Sequence, residues 1–328
     1  MKISEMKVGQ TITAEVVLAT ASIRQTKSNP PRDFLNVDLT DGTDTLEGKI
    51  WNYDGSKGVP ESNKVYSIYG SISEYRGKKQ ITIQKLDLAV NQDMTPFCCT
   101  YFSNLERLAE VVNRHIDKIG DERLRNVTRF IYDSYWDKIL HATSAKGVHH
   151  VGIGGNAYHS IEVYDIAEKI AEYYQVVRCD DISVDLVRAG ALLHDIGKPF
   201  VYDINGAVIG YTLNGTLFEH IVNGLAILNQ AAQHFDQSYN ETIALLSHIV
   251  SSHHGQLEYG SPVTPKFVEA YIINYADGIS ASLDTLLTAN DKAVKEGKAM
   301  TDKLWTLNNQ EHLLQKSVAE MLRNHEQA

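Results

Sequence analysis

Over residues 1 to about 90 apolar and polar positions alternate, as in TITAEVVLATASI, FLNVDLTDG, TLEGKIWNY and KVYSIYGSISEYRGKKQITIQKLDLAV. Alternation sends successive side chains to opposite faces of a strand. The turn signals DGT, NYDGS and EYRGKKQ cut the run into short strands, so a small β-barrel is predicted. From Tyr101 onward the apolar period becomes helical, in LERLAEVVNRHIDKI, RNVTRFIYDSYWDKIL, HSIEVYDIAEKIAEYY, TLFEHIVNGLAILNQAAQHF and ETIALLSHIV. NQDMTPFC between the two regimes reads as a linker. One stretch inside the helical part departs from it: VYDINGAVIGYTLNG sets Asn-Gly turns among alternating apolar residues and predicts an inserted β-hairpin. The apolar run LVRAGALL, residues 186–193, predicts a buried helix. Gly197 looks like its C-terminal stop and Pro199 prevents continuation, which places His194 and Asp195 in the last turn. The expected organisation is α+β and multidomain: a barrel over 1–92, a linker over 93–100, and an all-α domain over 101–328 carrying the hairpin.

A chain of 328 residues fits two domains with a sizeable helical core. Its first ten residues, MKISEMKVGQ, are polar and read as no secretory signal. No apolar run approaches the ~18 residues of a membrane span, so a soluble protein is expected. Cys98, Cys99 and Cys179 are too few for a disulfide framework and lack zinc-knuckle spacing; plain core residues in a reducing cytoplasm are expected.

Charge complicates any nucleic-acid reading, because the formal net charge is −10 and a nucleic-acid binder usually shows a basic face. The acidity is uneven: residues 1–92 hold 12 Lys/Arg against 11 Asp/Glu, the remainder 19 against 30. In the barrel, Arg76, Lys78 and Lys79 cluster on one predicted hairpin beside Tyr75, with Trp51 and Tyr53 on a neighbouring strand. Aromatic faces with basic tips grip single strands by stacking and phosphate contact. The alternative is that these aromatics fill the barrel core and the lysines only solubilise a turn.

Ten of the thirteen histidines lie between His141 and His254, and the first 114 residues have none. They occur in AYHS (His159), LLHDIGK (His194 and Asp195), FEHI (His220) and SSHHG (His253 and His254), followed by Asp277 in YIINYADGISA. Neutral imidazole binds Mn, Fe, Co, Ni or Zn, and a carboxylate adds charge and can bridge two ions. Neighbouring residues on a helix point about 100° apart, so His194 and Asp195 can share an ion only where several helices meet. Any one of these histidines, His220 or His248 for instance, would by itself read as a hydrogen-bonded core or surface residue; the joint pattern carries the metal reading. Lys198, one turn past the pair, could neutralise charge on phosphoryl oxygens or interact with the last helix carbonyls.

The order H…HD…H…H…D resembles the HD superfamily of metal-dependent phosphohydrolases, an all-helical fold. AKGVHHVGIGGNAYHS, LLHDIGKPF, SSHHGQLEYGSPVTP and the Tyr-Ala-Asp of 275–277 are similar, more narrowly, to the YhaM-type 3'-5' exoribonucleases, which also carry an N-terminal oligonucleotide-binding (OB) fold. The resemblance covers nearly the whole chain. It implies an OB-fold nucleic-acid-binding domain ahead of an HD domain, with His159, His194, Asp195 and Asp277 as core ligands. His220 and His253 would hold a second ion, with His254 as an alternative or additional ligand. It also implies one or two divalent ions, Mn²⁺ favoured with Fe, Co, Ni, Zn or Mg as alternatives, and Asp195 tying them together and orienting the nucleophile. Of the paired His149 and His150, His150 is assigned to substrate contact or protonation of the leaving oxygen. The implied substrate is single-stranded RNA, or DNA, degraded from its 3' end to nucleoside 5'-monophosphates; no membrane partner is expected and homo-oligomerisation is left open. The hairpin after the HD helix would form one wall of the active site. The same ligand order also serves cyclic-nucleotide and cyclic-dinucleotide phosphodiesterases and, more remotely, di-iron oxygenases. A non-catalytic single-strand-binding module with a structural metal is the alternative from another class.

Overall fold

The structure, a computed structural model, describes residues 1–178 and 181–325. Cys179, expected in the core, lies outside the described residues. Contacts divide the chain into two units, one of residues 1–100 with 203–210, the other of 101–202 with 211–328.

In the first unit five strands, β1 (Thr11–Gln25), β2 (Asp33–Thr40), β3 (Thr45–Trp51), β4 (Lys64–Tyr75) and β5 (Lys78–Leu88), close into a barrel in the order β1-β2-β3-β5-β4. β3 and β5 pair in parallel and all other neighbours antiparallel, which is the OB topology. Closure depends on β1 serving two partners. Its residues Thr11–Leu18 pair with β4 and Val17–Gln25 with β2, and a bulge between Leu18 and Thr20 supplies the bend. Alternation survives this: Ile12, Ala14, Val16 and Leu18 point inward to meet Leu35, Val37, Ile68 and Ile81. Val17 faces outward, yet it is buried by Val65 and Ala89.

Two further segments belong to the barrel unit. Residues 93–100, expected to be a linker, begin where Gln92 clamps the start of β4, its side-chain amide bonding Val65 N at 3.0 Å and Val65 O at 2.9 Å. The inserted hairpin forms as β6 (Tyr202–Asn205) and β7 (Val208–Tyr211). Its tip packs on the barrel: Ala207 and Val208 lie against the Val17, Val65 and Ala89 cluster, which gives two apolar side chains on a polar turn somewhere to bury.

The second unit comprises α1 (Leu105–Asp117), α2 (Glu122–His141), α3 (Gly155–Val177), α4 (Val184–Leu193), α5 (Leu213–His234), α6 (Asn240–Ser252), α7 (Val268–Lys295) and α8 (Gln315–His325). α4 is its axis. Ser183 caps it by accepting from Leu186 N, and from Leu186 to Leu193 every side chain but Arg188 is buried, against α2, α3, α6 and α7. Arg188 ties its outer edge to Glu168 at 2.8 Å and Asp185 at 2.9 Å. Among the described residues no helix is long and apolar enough to cross a membrane.

Asp41 locks the barrel floor. Its carboxylate accepts from Ile3 N at 2.6 Å, Thr43 N at 2.9 Å, Thr43 Oγ1 at 2.8 Å and Asp44 N at 2.9 Å, holding Ile3 and Met6 in the core. Burial alone would raise its pKa, but the hydrogen bonds from Ile3 and Thr43 hold it below the ordinary value. A depressed carboxyl stabilises the fold above its unfolded pKa of about 4 and loses that contribution as pH falls through the lower folded value. Asp41→Ala is therefore expected to cost ~1–3 kcal/mol at neutral pH, read as faster amide exchange at Ile3, Thr43 and Asp44. The gap to the parent should shrink below about pH 4.

Candidate metal centre

Five helix ends and faces deliver the histidines and carboxylates to one place. His159 comes from the first turns of α3, His194 caps the end of α4, and Asp195 follows one residue beyond. His220 comes from α5, His253 and His254 from just past α6, and Asp277 from the third turn of α7. The pair His194-Asp195 thus sits at and just after the helix end. Gly197 is no left-handed stop, since its φ is −79°. It is bare for another reason: a Cβ there would lie 1.9 Å from His220 O, so the missing side chain lets α5 approach the HD turn.

The side chains form two groups around Asp195. His159 Nε2 lies 3.3 Å from His194 Nε2 and 3.1 Å from Asp277 Oδ1, and the two imidazoles are 3.5 and 3.3 Å from Asp195 Oδ2. On the other side, Asp195 Oδ1 lies 3.5 Å from His253 Nε2 and 3.8 Å from His220 Nε2, while His254 stacks within 5.0 Å of the His220 ring. Donors ~2.1 Å from one ion at right or tetrahedral angles are themselves about 3.0–3.4 Å apart, close to these separations. Asp195 is 1% exposed, and apart from its ion pair with Lys198 neither of its oxygens, nor Nε2 of His220 or of His253, has a hydrogen-bond partner. Buried polar atoms are seldom left so. Orphan acceptors converging in two groups fit two cations sharing one carboxylate.

Ring orientation supports the same fit. The Nδ1 atoms of His194, His253 and His254 point at the carbonyls of Ala191 (2.7 Å), Val250 (2.8 Å) and Tyr259 (2.8 Å). Donation from Nδ1 leaves Nε2 with its lone pair facing the site. Burial drives His159 and His254 down to about 4 and also lowers His220 and His253, so these rings are neutral and able to ligate. For His194 burial pushes the same way, but the Asp195 charge outweighs it and raises the pKa. Burial opposes ionisation of both carboxylates as well. Lys198 and His194 nonetheless hold Asp195 well below the usual carboxylate range, and His159 and His194 do the same for Asp277.

Local backbone devices hold the second group. Glu219, immediately before His220, has φ 53° and ψ −178° inside α5, a conformation rare outside glycine, and Asn223 Nδ2 braces its carbonyl at 2.6 Å. Gly255 after the His-His pair has φ +77°, and a Cβ there would sit 2.5 Å from Asn274, whose Nδ2 donates to His253 O at 2.6 Å.

The other residues singled out from the chain land differently from one another, and two need correction. Lys198 is buried with Nζ 2.5 Å from Asp195 Oδ2 and 3.4 Å from Ser144 Oγ, so its ammonium lies against the carboxylate and not on helix carbonyls. His150 is not at the substrate face: it is fully buried, its Nε2 bonded to Glu162 at 2.8 Å and its backbone N–H to Asp284 at 2.7 Å. His149 is only half-buried, its ring 5.0 Å from that of His159, and burial together with the Lys198 charge drives it down to about 2. His150 has a positive φ of 48° and its Nδ1 lies 3.2 Å from His149 Nδ1, so the two rings touch while only one is fully buried, a difference that the HH pair does not reveal in sequence. His248 stays outside, accepting from Lys266 N at 3.0 Å.

The centre opens on a cleft of about 1060 Å³ whose floor includes His149, His254 and Asp277 and whose walls carry Tyr259, Tyr271, Tyr275 and Trp305. Those aromatics are well exposed, and nothing in their spacing distinguishes them from ordinary helix and loop residues. On the barrel, Trp51 and Tyr75 are exposed, and Arg76 and Lys49 lie over the Tyr75 ring at 5.3 and 5.4 Å. Lys49, which strand alternation leaves unremarked, also stands 6.0 Å from Trp51. Lys78 is exposed and Lys79 half-buried at the start of β5. Tyr53 instead packs on the barrel core and donates to Gly58 O at 2.9 Å, so it is no stacking platform.

Gly197→Ala should force α5 away from the HD turn. The expected loss is ~1–3 kcal/mol in denaturant unfolding, with His220 displaced from Asp195.

Residues 156–282 match the HD domain family. Over 302 residues the chain is 32% identical to the 3'-5' exoribonuclease YhaM of Geobacillus sp. (strain WCH70), spanning 90% of each sequence. Among solved structures, a crystal structure and a solution structure of a replication protein A domain from Methanococcus maripaludis match. Identities are 18% and 16%, with 27% and 28% of this chain and 92% and 95% of those chains covered, at TM-scores of 0.23 and 0.24. With a third of its residues shared along nearly the full length of such a relative, the chain belongs to the YhaM family of 3'-5' exoribonucleases.

Proposed function

We propose that the protein is a metal-dependent 3'-5' exoribonuclease that hydrolyses single-stranded RNA to nucleoside 5'-monophosphates, with Mn²⁺ as its favoured ion. The observation that carries the reading is Asp195, whose two oxygens each face a separate group of imidazoles. His159, His194 and Asp277 would hold one ion, His220, His253 and His254 a second, and Asp195 both. Bound there, divalent ions supply Lewis acidity toward water and toward a phosphoryl oxygen. Lys198 adds a fixed ammonium where charge builds on the phosphoryl group. His149, neutral and beside His159 at the cleft floor, takes the substrate-facing role that the sequence assigned to His150.

Substrate class follows from the cleft and the family. A phosphodiesterase needs room at its metal, and 1060 Å³ walled by aromatics suits nucleotides, whose bases stack on such rings. A closed structural metal site would have no such opening. The 3'-to-5' polarity rests on the relative's activity. The barrel's Trp51, Tyr75, Lys49 and Arg76 supply stacking faces and cations to hold the strand.

With 5'-labelled single-stranded RNA and Mn²⁺, the expected products are a ladder shortening to small 5' fragments; intact RNA alongside cleaved cyclic dinucleotide would overturn the reading. Asp195→Ala should abolish turnover and bind neither ion, counted by elemental analysis, with helical circular dichroism retained. His220→Ala should lose one ion.

Changing Arg76, Lys78 and Lys79 together to Ala tests the barrel. Each lost phosphate contact should remove roughly 0.7 from the slope of log affinity against log salt, and an unchanged slope would reduce the hairpin to a solvated turn.

A further inference from the structure

Three of the ligand histidines rest their Nδ1 on backbone carbonyls and His220 turns its Nδ1 to Glu219 Oε2 at 3.6 Å, whereas His159 meets a hydroxyl. Its Nδ1 lies 3.0 Å from Ser280 Oγ, and that hydroxyl donates to Glu162 Oε2 at 3.0 Å. The two helices interlock by one spacing used twice. On α3 His159 and Glu162 are three residues apart, and on α7 Asp277 and Ser280 are three apart, so each helix presents one ligand and one outer partner on the same face. Glu162 Oε2 also receives His150 Nε2 at 2.8 Å, and His150 is pinned in turn by Asp284, seven residues beyond Asp277 on α7.

We propose that Glu162 and Ser280 form a positioning relay that orients His159 and makes it a stronger ligand for the ion it shares with His194 and Asp277. With Nε2 turned to the ion, Nδ1–H donates to Ser280, Ser280 O–H donates to Glu162, and the carboxylate charge reaches the imidazole through two hydrogen bonds. A backbone carbonyl offers orientation without that charge. His150 is the second positioning group: it holds Glu162 and contacts no substrate. This role explains why a fully buried histidine accompanies the half-buried His149.

The relay rests on the proposed two-ion centre, and metal binding tests it without RNA. In a Mn²⁺ titration the parent should bind two ions, and Ser280→Ala should weaken one by about 10–100-fold while leaving the other unchanged. Glu162→Gln, at a half-exposed position that tolerates change, should weaken the same ion in the same direction, and His150→Ala less so. Ser280→Thr, which keeps the hydroxyl, should restore affinity. Parent-like affinity at both sites in Ser280→Ala and Glu162→Gln would overturn the relay and leave the nuclease reading standing. Equal weakening of both sites together with a lower melting temperature would also overturn it, as the mark of a structural role alone. A parent that binds no ion would defeat the two-ion centre itself.

Discussion

A carboxylate that is 1% exposed, with an ammonium for its one close partner, is costly to bury, and the helical domain is arranged around Asp195 so that cations can meet it. Lys198 supplies one positive charge at 2.5 Å, and four neighbouring imidazoles supply donor sites for more. Four helices must converge to deliver them. The close fit of Gly197 against α5, the irregular Glu219 and the left-handed Gly255 are the local means by which they do.

Separating the two ligand groups onto the two oxygens of one residue gives the centre its chemistry. With Asp195 each group would offer four donors, and it is the cleft beside His149, His254 and Asp277 that leaves the centre open to substrate and water. Burial keeps His159, His220, His253 and His254 neutral, the form in which imidazole ligates, and carbonyl acceptors on Nδ1 of His194, His253 and His254 hold those rings in place. The acidity of the helical domain is compatible with an anionic substrate on this basis, because the field that matters is the one at the site. The barrel, near neutral in sum, places its cations over aromatic rings on one surface.

Much of this was legible in the chain. Period-two alternation specifies strands because side-chain direction follows from local geometry, and the same is true of the helical period, so barrel and helices appear where the pattern puts them. The convergence of the histidine phrases was legible too, since imidazole and carboxylate chemistry is a property of residue type and the structure brings His159, His194, Asp195, His220, His253, His254 and Asp277 together.

Direction and packing were not legible. His149 lines the cleft while its neighbour His150 is fully buried, and Tyr53 and Trp51, two residues apart, part company at the end of β3. Gly197 reads as a helix stop, yet its need for a bare Cα arises from a carbonyl on α5, 23 residues away in the chain. Ser280 and Glu162 carry no motif at all; only the packing of α7 on α3 makes them neighbours of His159. Sequence by itself determined which chemistry this protein carries and the kind of elements that carry it, because residue type and periodicity are local. Tertiary structure alone decided which atoms face one another, because that depends on contacts between segments distant along the chain.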